Sequence, residues 1–319
     1  MIVARVIRDE GAVSALLRTV ERVRESIESA RFFSAKNAPI MNVAPGGTGA
    51  RTGGVAIQLR ARLRVERLHR AVLLGPRASG LGPRVHFEGA GAVSKAPYIV
   101  SVHDLTLLEE RAFLESASAL VFASNYLRDR YQLAGDVIEP GLSVAPAILP
   151  ANGSAIAFAG AVQPHKGGHL LPEIARELAK RGKTLHVFGR GDGDLIRPLR
   201  ALKNVKVHGY YPAGTLPSLL RRHGIGLVLV PSIVPEAFCL TISEAWSAGA
   251  AVAAFDLGAQ GERIRKHRGG WLAPLDSGAD GIVRIIDQRS PIAIPTNIPT
   301  AEDSARAYLA LYRRLGWLG

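Results

Sequence analysis

The chain holds a single cysteine, Cys239, among its 319 residues. One thiol excludes an intramolecular disulfide framework and a cysteine-based zinc site, and it suits a cytoplasmic protein. No apolar run reaches the roughly 20 residues of a membrane span, and the start, MIVARVIRDEGAV, lacks a secretory pattern, so a cytoplasmic protein is expected. Acidic side chains are scarce: 27 against 40 lysines and arginines leave a formal charge of +13. That excess predicts attraction to something anionic, whether nucleotide phosphates, a phospholipid surface or nucleic acid. Aromatics are few and are not interleaved with the basic residues, and no recognition motif appears, so nucleic acid is not an expected partner. Also missing are the Gly-Lys-Ser/Thr of a Walker loop, a clean dinucleotide fingerprint, a Ser-His-Asp ordering with a nucleophile elbow, and a histidine cluster with metal-ligand spacing.

What is present is alternation. Hydrophobic residues at 47% and charged ones at 21% are enough to build full cores, and the length suits two domains. MIVARVI reads as a first strand or a lead-in. Glu10 to Ala30 reads as an amphipathic helix, with Val13, Leu16, Val20, Val23 and Ile27 on one face. Ala38–Ala44 reads as a strand, and the glycine-rich loop Pro45–Gly54 opens a helical pattern from Val55. Such a loop offers backbone amides to an anion, or is a plain turn. The predicted helix carries Arg60, Arg64 and Arg67 as one stripe, with Val55, Leu59 and Leu63 as an apolar face. The stripe is either a solvated face or a docking surface for an anionic acceptor or lipid headgroups. Strands then follow near residues 71, 84, 97, 119, 137, 154, 184, 205, 224, 250 and 269, separated by helical patterns over much of the chain. This spacing argues for parallel βαβ units.

The chain is organised around Pro231–Gly249, PSIVPEAFCLTISEAWSAG. The apolar run GIGLVLV before it reads as a buried parallel strand, and a helical pattern starts near Leu240. Glu236 is therefore expected on a strand-to-helix loop and Glu244 within the helix. Ligands of open parallel sheets bind at the carboxyl ends of strands, and carboxylates there accept sugar hydroxyls well. Two solvated surface glutamates would give the same spacing.

The stretch resembles the donor-sugar motif of retaining glycosyltransferases of the GT-B type, family 4. Pro231-Ser232, Glu236-Ala237-Phe238-Cys239-Leu240, Glu244-Ala245 and Ala248-Gly249 carry the likeness, with Cys239 where the family has glycine. Gly160, Lys166 and Gly167 match a second motif, Gly-Arg then Lys-Gly, in which Ala161 replaces the arginine; His165 or Arg190 would have to substitute for it. The resemblance implies two Rossmann-like α/β domains facing a cleft: an acceptor-binding domain over 1–145, a nucleotide-sugar domain over 146–300, and a last helix, 301–319, crossing back to the first. It implies that Glu236 binds donor sugar hydroxyls, Glu244 the ribose and Lys166 the leaving diphosphate. His103, ending its strand, would line the sugar site. Amides around Phe238, Cys239 and Leu240 would add donors, Gly53 and Gly54 would border the phosphates, and the Gly189 turn would lie near the base. Asp192-Gly-Asp194 reads as loop chemistry, so no obligatory metal and no cofactor beyond the donor is expected, a UDP-sugar in preference to a GDP-sugar. The implied activity is metal-independent, retaining transfer of a sugar to an acceptor hydroxyl, by an enzyme of the cytoplasm or the inner membrane face. Three alternatives stay open: another GT-B reaction such as nucleotide-sugar 2-epimerisation or phosphorolysis, a non-catalytic nucleotide-sugar binder, and a basic membrane-surface adaptor.

Overall fold

The computed structural model describes residues 97–142, 153–191, 193–288 and 290–316, and before them the strands at 3–5, 54–58, 70–74 and 84–88. The chain divides into two units: Met1–Glu139 with Ala301–Gly319, and Pro140–Thr300. Both are α/β, a sheet flanked by helices, as the alternating pattern led us to expect.

The first unit holds a seven-stranded sheet in sequential order: β1 (Val3–Arg5), β2 (Gly54–Gln58), β3 (Arg70–Leu74), β4 (Arg84–Glu88), β5 (Tyr98–Val102), β6 (Ala119–Phe122) and β7 (Asp136–Val137). Pairings are antiparallel from β1 to β4 and parallel from β4 to β7. Helix α1 (Arg111–Glu115) joins β5 to β6, and α2 (Asn125–Tyr131) joins β6 to β7. Ser124 starts α2 by accepting the Leu127 amide at 3.1 Å, satisfying one of the donors that a helix start leaves over. Every residue of β5, YIVSV, is buried, as in a strand covered on both faces.

Its two hydroxyl-bearing side chains are matched rather than stranded, the Tyr98 hydroxyl donating to the Phe113 carbonyl at 2.7 Å. Ser101 Oγ shares hydrogen bonds with His86 Nε2 at 2.8 Å and with the Tyr308 hydroxyl at 2.8 Å, and His86 Nδ1 shares one with the Tyr312 hydroxyl at 2.5 Å. Both tyrosines belong to the last helix, Ala301–Arg314, whose Leu311 packs with Ile99, Val121 and Ile138. Apolar contact and a closed polar network thus fix that helix to this sheet.

One expectation is corrected here. Val55 does not begin a helix: Gly54–Gln58 is a strand between β1 and β3. The physical reason is visible in the pattern. Positions 55, 57, 59, 61, 63 and 65 are apolar while 58, 60, 62, 64 and 66 are polar, a two-residue period that an i, i+4 reading samples misleadingly. Val55 and Ile57 are also β-branched, which favours strand over helix. Gly53, Arg60, Arg64 and Arg67, the helix expected over 10–30 and the strand expected over 38–44 lie outside the described residues.

The second unit is built on six parallel strands: β8 (Ala155–Ala159), β9 (Leu185–Phe188), β10 (Val205–Gly209), β11 (Ile225–Val230), β12 (Ala251–Phe255) and β13 (Gly270–Ala273). They are ordered β10-β9-β8-β11-β12-β13. The connecting helices are α3 (Leu171–Lys180), α4 (Gly193–Arg200), α5 (Leu216–Arg222), α6 (Leu240–Ser247) and α7 (Gly258–His267), and α8 (Gly278–Gln288) follows β13. Alternate residues of β11 feed the two cores. Leu227 and Leu229 join Ile174 and Leu178 of α3 on one face, and Val228 and Val230 join Leu220, Ile242 and Trp246 on the other. Burial on both faces is why β11 reads as an unbroken apolar run. The strand order reverses direction between β8 and β11, and it is outside the carboxyl ends of such a pair that open α/β sheets bind ligands.

Candidate active site

The loops after β8 and β11 meet at that switch point. The first turns tightly through a 3-10 segment, Pro164–Lys166, and exits at Gly167 with φ +74°. Gly167 is required there: a Cβ would lie 1.9 Å from the Pro231 carbonyl oxygen. The Ile233 amide donates to the His165 carbonyl at 3.0 Å, binding one loop to the other.

This contact brings Lys166 and Glu236 together. Lys166 Nζ donates to Glu236 Oε1 at 2.5 Å, and Ser232 Oγ donates to the same oxygen at 2.5 Å. Glu236 is nearly enclosed, with its side chain 13% exposed. Its backbone is gripped as well. The Glu236 amide donates to Gln260 Oε1 at 2.9 Å, Gln260 Nε2 donates to the Val234 carbonyl at 3.3 Å, and the Ala259 amide donates to the Glu236 carbonyl at 2.9 Å. Gln260 is fully buried at the start of α7 and acts as the brace of the loop. The arrangement presents a partly exposed cation beside an oriented carboxylate, suited to an anion on one side and hydroxyl groups on the other.

The next residues form the start of α6. Cys239 is its N-cap with φ +65°, a left-handed conformation that a side chain disfavours. Arg263, 2% exposed, stabilises this corner from α7. Its Nη1 donates to the carbonyls of Phe238 and Cys239 at 3.3 and 3.0 Å, its Nη2 donates to Ser243 Oγ at 2.6 Å, and its Cζ lies 3.8 Å from the Phe238 ring centroid. A guanidinium with its donors directed at carbonyls and its face on a ring is a strong local fastening. Glu244 sits one turn beyond Leu240 on α6 and is 8% exposed.

Burial, reinforced by the Glu236 carboxylate, pushes the Cys239 thiol up to about 12. It is therefore a neutral thiol, not a nucleophile, at physiological pH. At about pH 8, native protein is expected to react with an aromatic disulfide reagent at least ~100-fold more slowly than urea-unfolded protein, whose thiol regains a pKa of about 8.5. Because Cys239 is the only cysteine, the released chromophore reports this site alone. Equal rates in the two states would refute the raised thiol pKa.

The remaining expected residues lie on other elements. Gly189 follows β9 with φ +138°, its amide donating to the Gly209 carbonyl at 2.7 Å. Arg190, exposed, lies over the Tyr210 ring with Cζ 5.0 Å from the centroid. Asp194 is exposed in the first turn of α4. His103 and Gly54 belong to the first unit; His103 is exposed directly after β5, and Gly54 begins β2. The neighbouring Asp104 is engaged by the amide and hydroxyl of Thr106, a local turn.

Three participants carried no sequence signal of their role: Ser232 as donor to Glu236, Gln260 as brace and Arg263 as fastening. Ser232 is only four residues from Glu236, but a serine in a loop does not announce its acceptor; Gln260 and Arg263 act through tertiary proximity, across 24 residues for Glu236 and Gln260, and one buried arginine is indistinguishable in a strongly basic sequence from its solvated neighbours.

Residues 153–288 match the family described as glycosyl transferases group 1. Comparison with curated proteins gives no match. Among solved structures, the chain is similar to a sucrose-phosphate synthase from Thermosynechococcus elongatus, with 19% identity over 69% of this chain and 68% of that one and a TM-score of 0.55. It is similar to a glycosyltransferase from Rickettsia africae, with 18% identity over 70% and 71% and a TM-score of 0.53. It is also similar to Anabaena HepE in complex with UDP and glucose, with 18% identity over 70% and 71% and a TM-score of 0.51. At such identities the likeness speaks for the fold, the α/β GT-B class expected from the sequence.

Proposed function

We propose that this chain, whose second unit carries the glycosyl transferases group 1 domain, moves a sugar from a nucleotide diphosphate-sugar to an acceptor hydroxyl, with retention at the anomeric carbon. The observation that carries the reading is the Lys166–Glu236 pair, 2.5 Å apart at the switch point of the parallel sheet. When a donor enters, Lys166 exchanges its carboxylate partner for the diphosphate, where negative charge grows as the glycosidic bond breaks. Glu236, still oriented by Ser232 and Gln260, is then open to hydroxyls of the sugar. On this reading Glu244 would take the ribose, His103 would line the sugar site, Gly53 and Gly54 would border the phosphates, and the Gly189 turn would lie near the base. Amides of Phe238–Leu240 add donors. Attack comes from the face the leaving group departs, with the leaving phosphate helping to take the acceptor proton, and no metal is needed. A UDP-sugar is the donor favoured, in keeping with the UDP held by HepE. Arg60, Arg64 and Arg67 provide the acceptor or membrane surface, at the cytoplasmic face.

The test is a thermal-shift and calorimetric panel of UDP, GDP, ADP and dTDP with their sugars, on wild type and Lys166→Ala. A ligand at a hundred times its dissociation constant adds about 2.7 kcal/mol of stability. A shift for one nucleotide, lost in the variant, is expected. A flat response across a saturating panel, on folded protein, overturns the proposal. Proton NMR of the product reads whether the anomeric configuration is kept.

A further inference from the structure

We propose that His186, His208 and His223 form a binding site for one divalent d-block cation, zinc in the first instance, at the β9–β10 edge of the second unit. This site does not rest on the donor-site reading and uses none of its residues. No metal-ligand spacing in the sequence signals it, because the three histidines come from three elements: His186 from β9, His208 from β10 and His223 from the carboxyl end of α5.

The strand pairing brings them together. His186 pairs with Lys206, and His208 stands at a register shift between Val207 and Gly209, where its ring stacks with that of His186 at 5.1 Å and 20°. Phe188, two residues after His186, lies under the His208 ring at 4.3 Å and 10°, holding that imidazole flat. His223 closes the group from above: its ring centroid is 4.5 Å from that of His208 and 5.4 Å from that of His186. One ring nitrogen from each histidine lies within 4.8 Å of the other two, and His186 Nδ1 and His208 Nε2 are 3.0 Å apart.

A tetrahedral ion with bonds of about 2.0–2.1 Å holds its nitrogen ligands about 3.3–3.4 Å apart, a spacing the observed distances bracket. Small side-chain rotations of the exposed His208 and the half-buried His223 would close the remaining gap.

The donor set selects the ion. Three imidazoles with no carboxylate or thiol joining the group among the described residues suit zinc, copper, nickel or cobalt, and not magnesium or calcium. Burial, then the two neighbouring imidazoles and Lys206, push His186 down to about 4, so its lone pair is available at neutral pH. The carboxyl end of α5 favours positive charge; Lys206, exposed on β10, opposes it and moderates the affinity. A three-histidine site leaves a fourth position for water or an exogenous ligand. Its effect on this chain would be to clamp the outermost strand, β10, and the end of α5 onto β9.

The experiment uses the full chain, free of any affinity tag and stripped with chelator. Zinc is titrated calorimetrically, and cobalt is titrated with the visible absorption of a four-coordinate site as readout, on wild type and on the His208→Gln/His223→Gln double variant. Both substituted residues are outside the fully buried set, so the variant is expected to keep its fold by circular dichroism. The expected result is one zinc per wild-type chain, a cobalt spectrum of four-coordinate type, a raised thermal midpoint, and loss of all three in the variant. No uptake by wild type, or equal uptake by both proteins, overturns the proposal. Should the double variant fail to fold, His208→Gln alone, at the exposed position, gives the same comparison with an expected affinity loss of at least tenfold.

Discussion

Lys166→Ala is expected to weaken UDP binding by about 10- to 100-fold, the loss of one charge-assisted contact worth roughly 1.5–3 kcal/mol. Turnover should fall by a further factor of about 100 to 1,000, because in the proposed reaction the same ammonium would face the charge that develops on the leaving diphosphate. Glu236→Gln should behave differently. Glutamine keeps an acceptor for Ser232 Oγ, which bonds Glu236 Oε1 at 2.5 Å, but it surrenders the charge that orders Lys166. UDP affinity should then stay within a few-fold of wild type while affinity for the intact UDP-sugar drops, since in the proposed reading the lost contacts would be to sugar hydroxyls. Calorimetry with UDP and with UDP-sugar separates the two. If Glu236→Gln weakens both ligands equally, the division of labour between cation and carboxylate is wrong.

The largest stability effect is expected at Gly189. Its φ of +138° is unfavourable for any other residue, and a Cβ would stand 1.8 Å from the Gly160 carbonyl oxygen, which is backbone and cannot rotate away. Relief would require separating segments joined by the Gly160 amide to Phe188 carbonyl bond at 2.9 Å and the Gly189 amide to Gly209 carbonyl bond at 2.7 Å. Strain and overpacking together put the cost of Gly189→Ala at about 3–5 kcal/mol. Gly182→Ala is the control. That glycine also has positive φ, +63°, but nothing lies within 4 Å of a Cβ there, so only the left-handed penalty of about 1–2 kcal/mol applies. Urea denaturation of the two variants should give clearly different midpoints; equal midpoints would rule out the close approach as the cause.

These two sites also mark how far the sequence could be read. The strand β11, the loop after it and the helix from Leu240 were legible because burial on both faces writes an unbroken apolar run and the Pro-rich loop interrupts it. Lys166 and Glu236 were each legible only through a family resemblance. Their contact spans 70 residues and depends on two loops meeting at Gly167 and Pro231, which no local pattern encodes. Gln260 and Arg263 were silent because their work is done by burial, and a sequence does not report which members of a helix face turn inward at a given corner. The segment from Val55 was misread for the opposite reason. Its two periods compete, since alternate apolar residues also include pairs four apart, and β-branching at Val55 and Ile57 decided for the strand.

The first unit is discontinuous: it takes Tyr308 and Tyr312 from beyond Thr300 to complete the network around Ser101. Pro140–Thr300, by contrast, is one uninterrupted stretch. On the ribosome this inverts the usual amino-first order of domain folding. All residues of the later unit have been polymerised before the earlier one receives its final helix, so β5 waits with His86 and Ser101 unsealed while its neighbour can already close. A chain released before Tyr312 would therefore carry an intact candidate catalytic loop in its second unit and a first unit without its final helix.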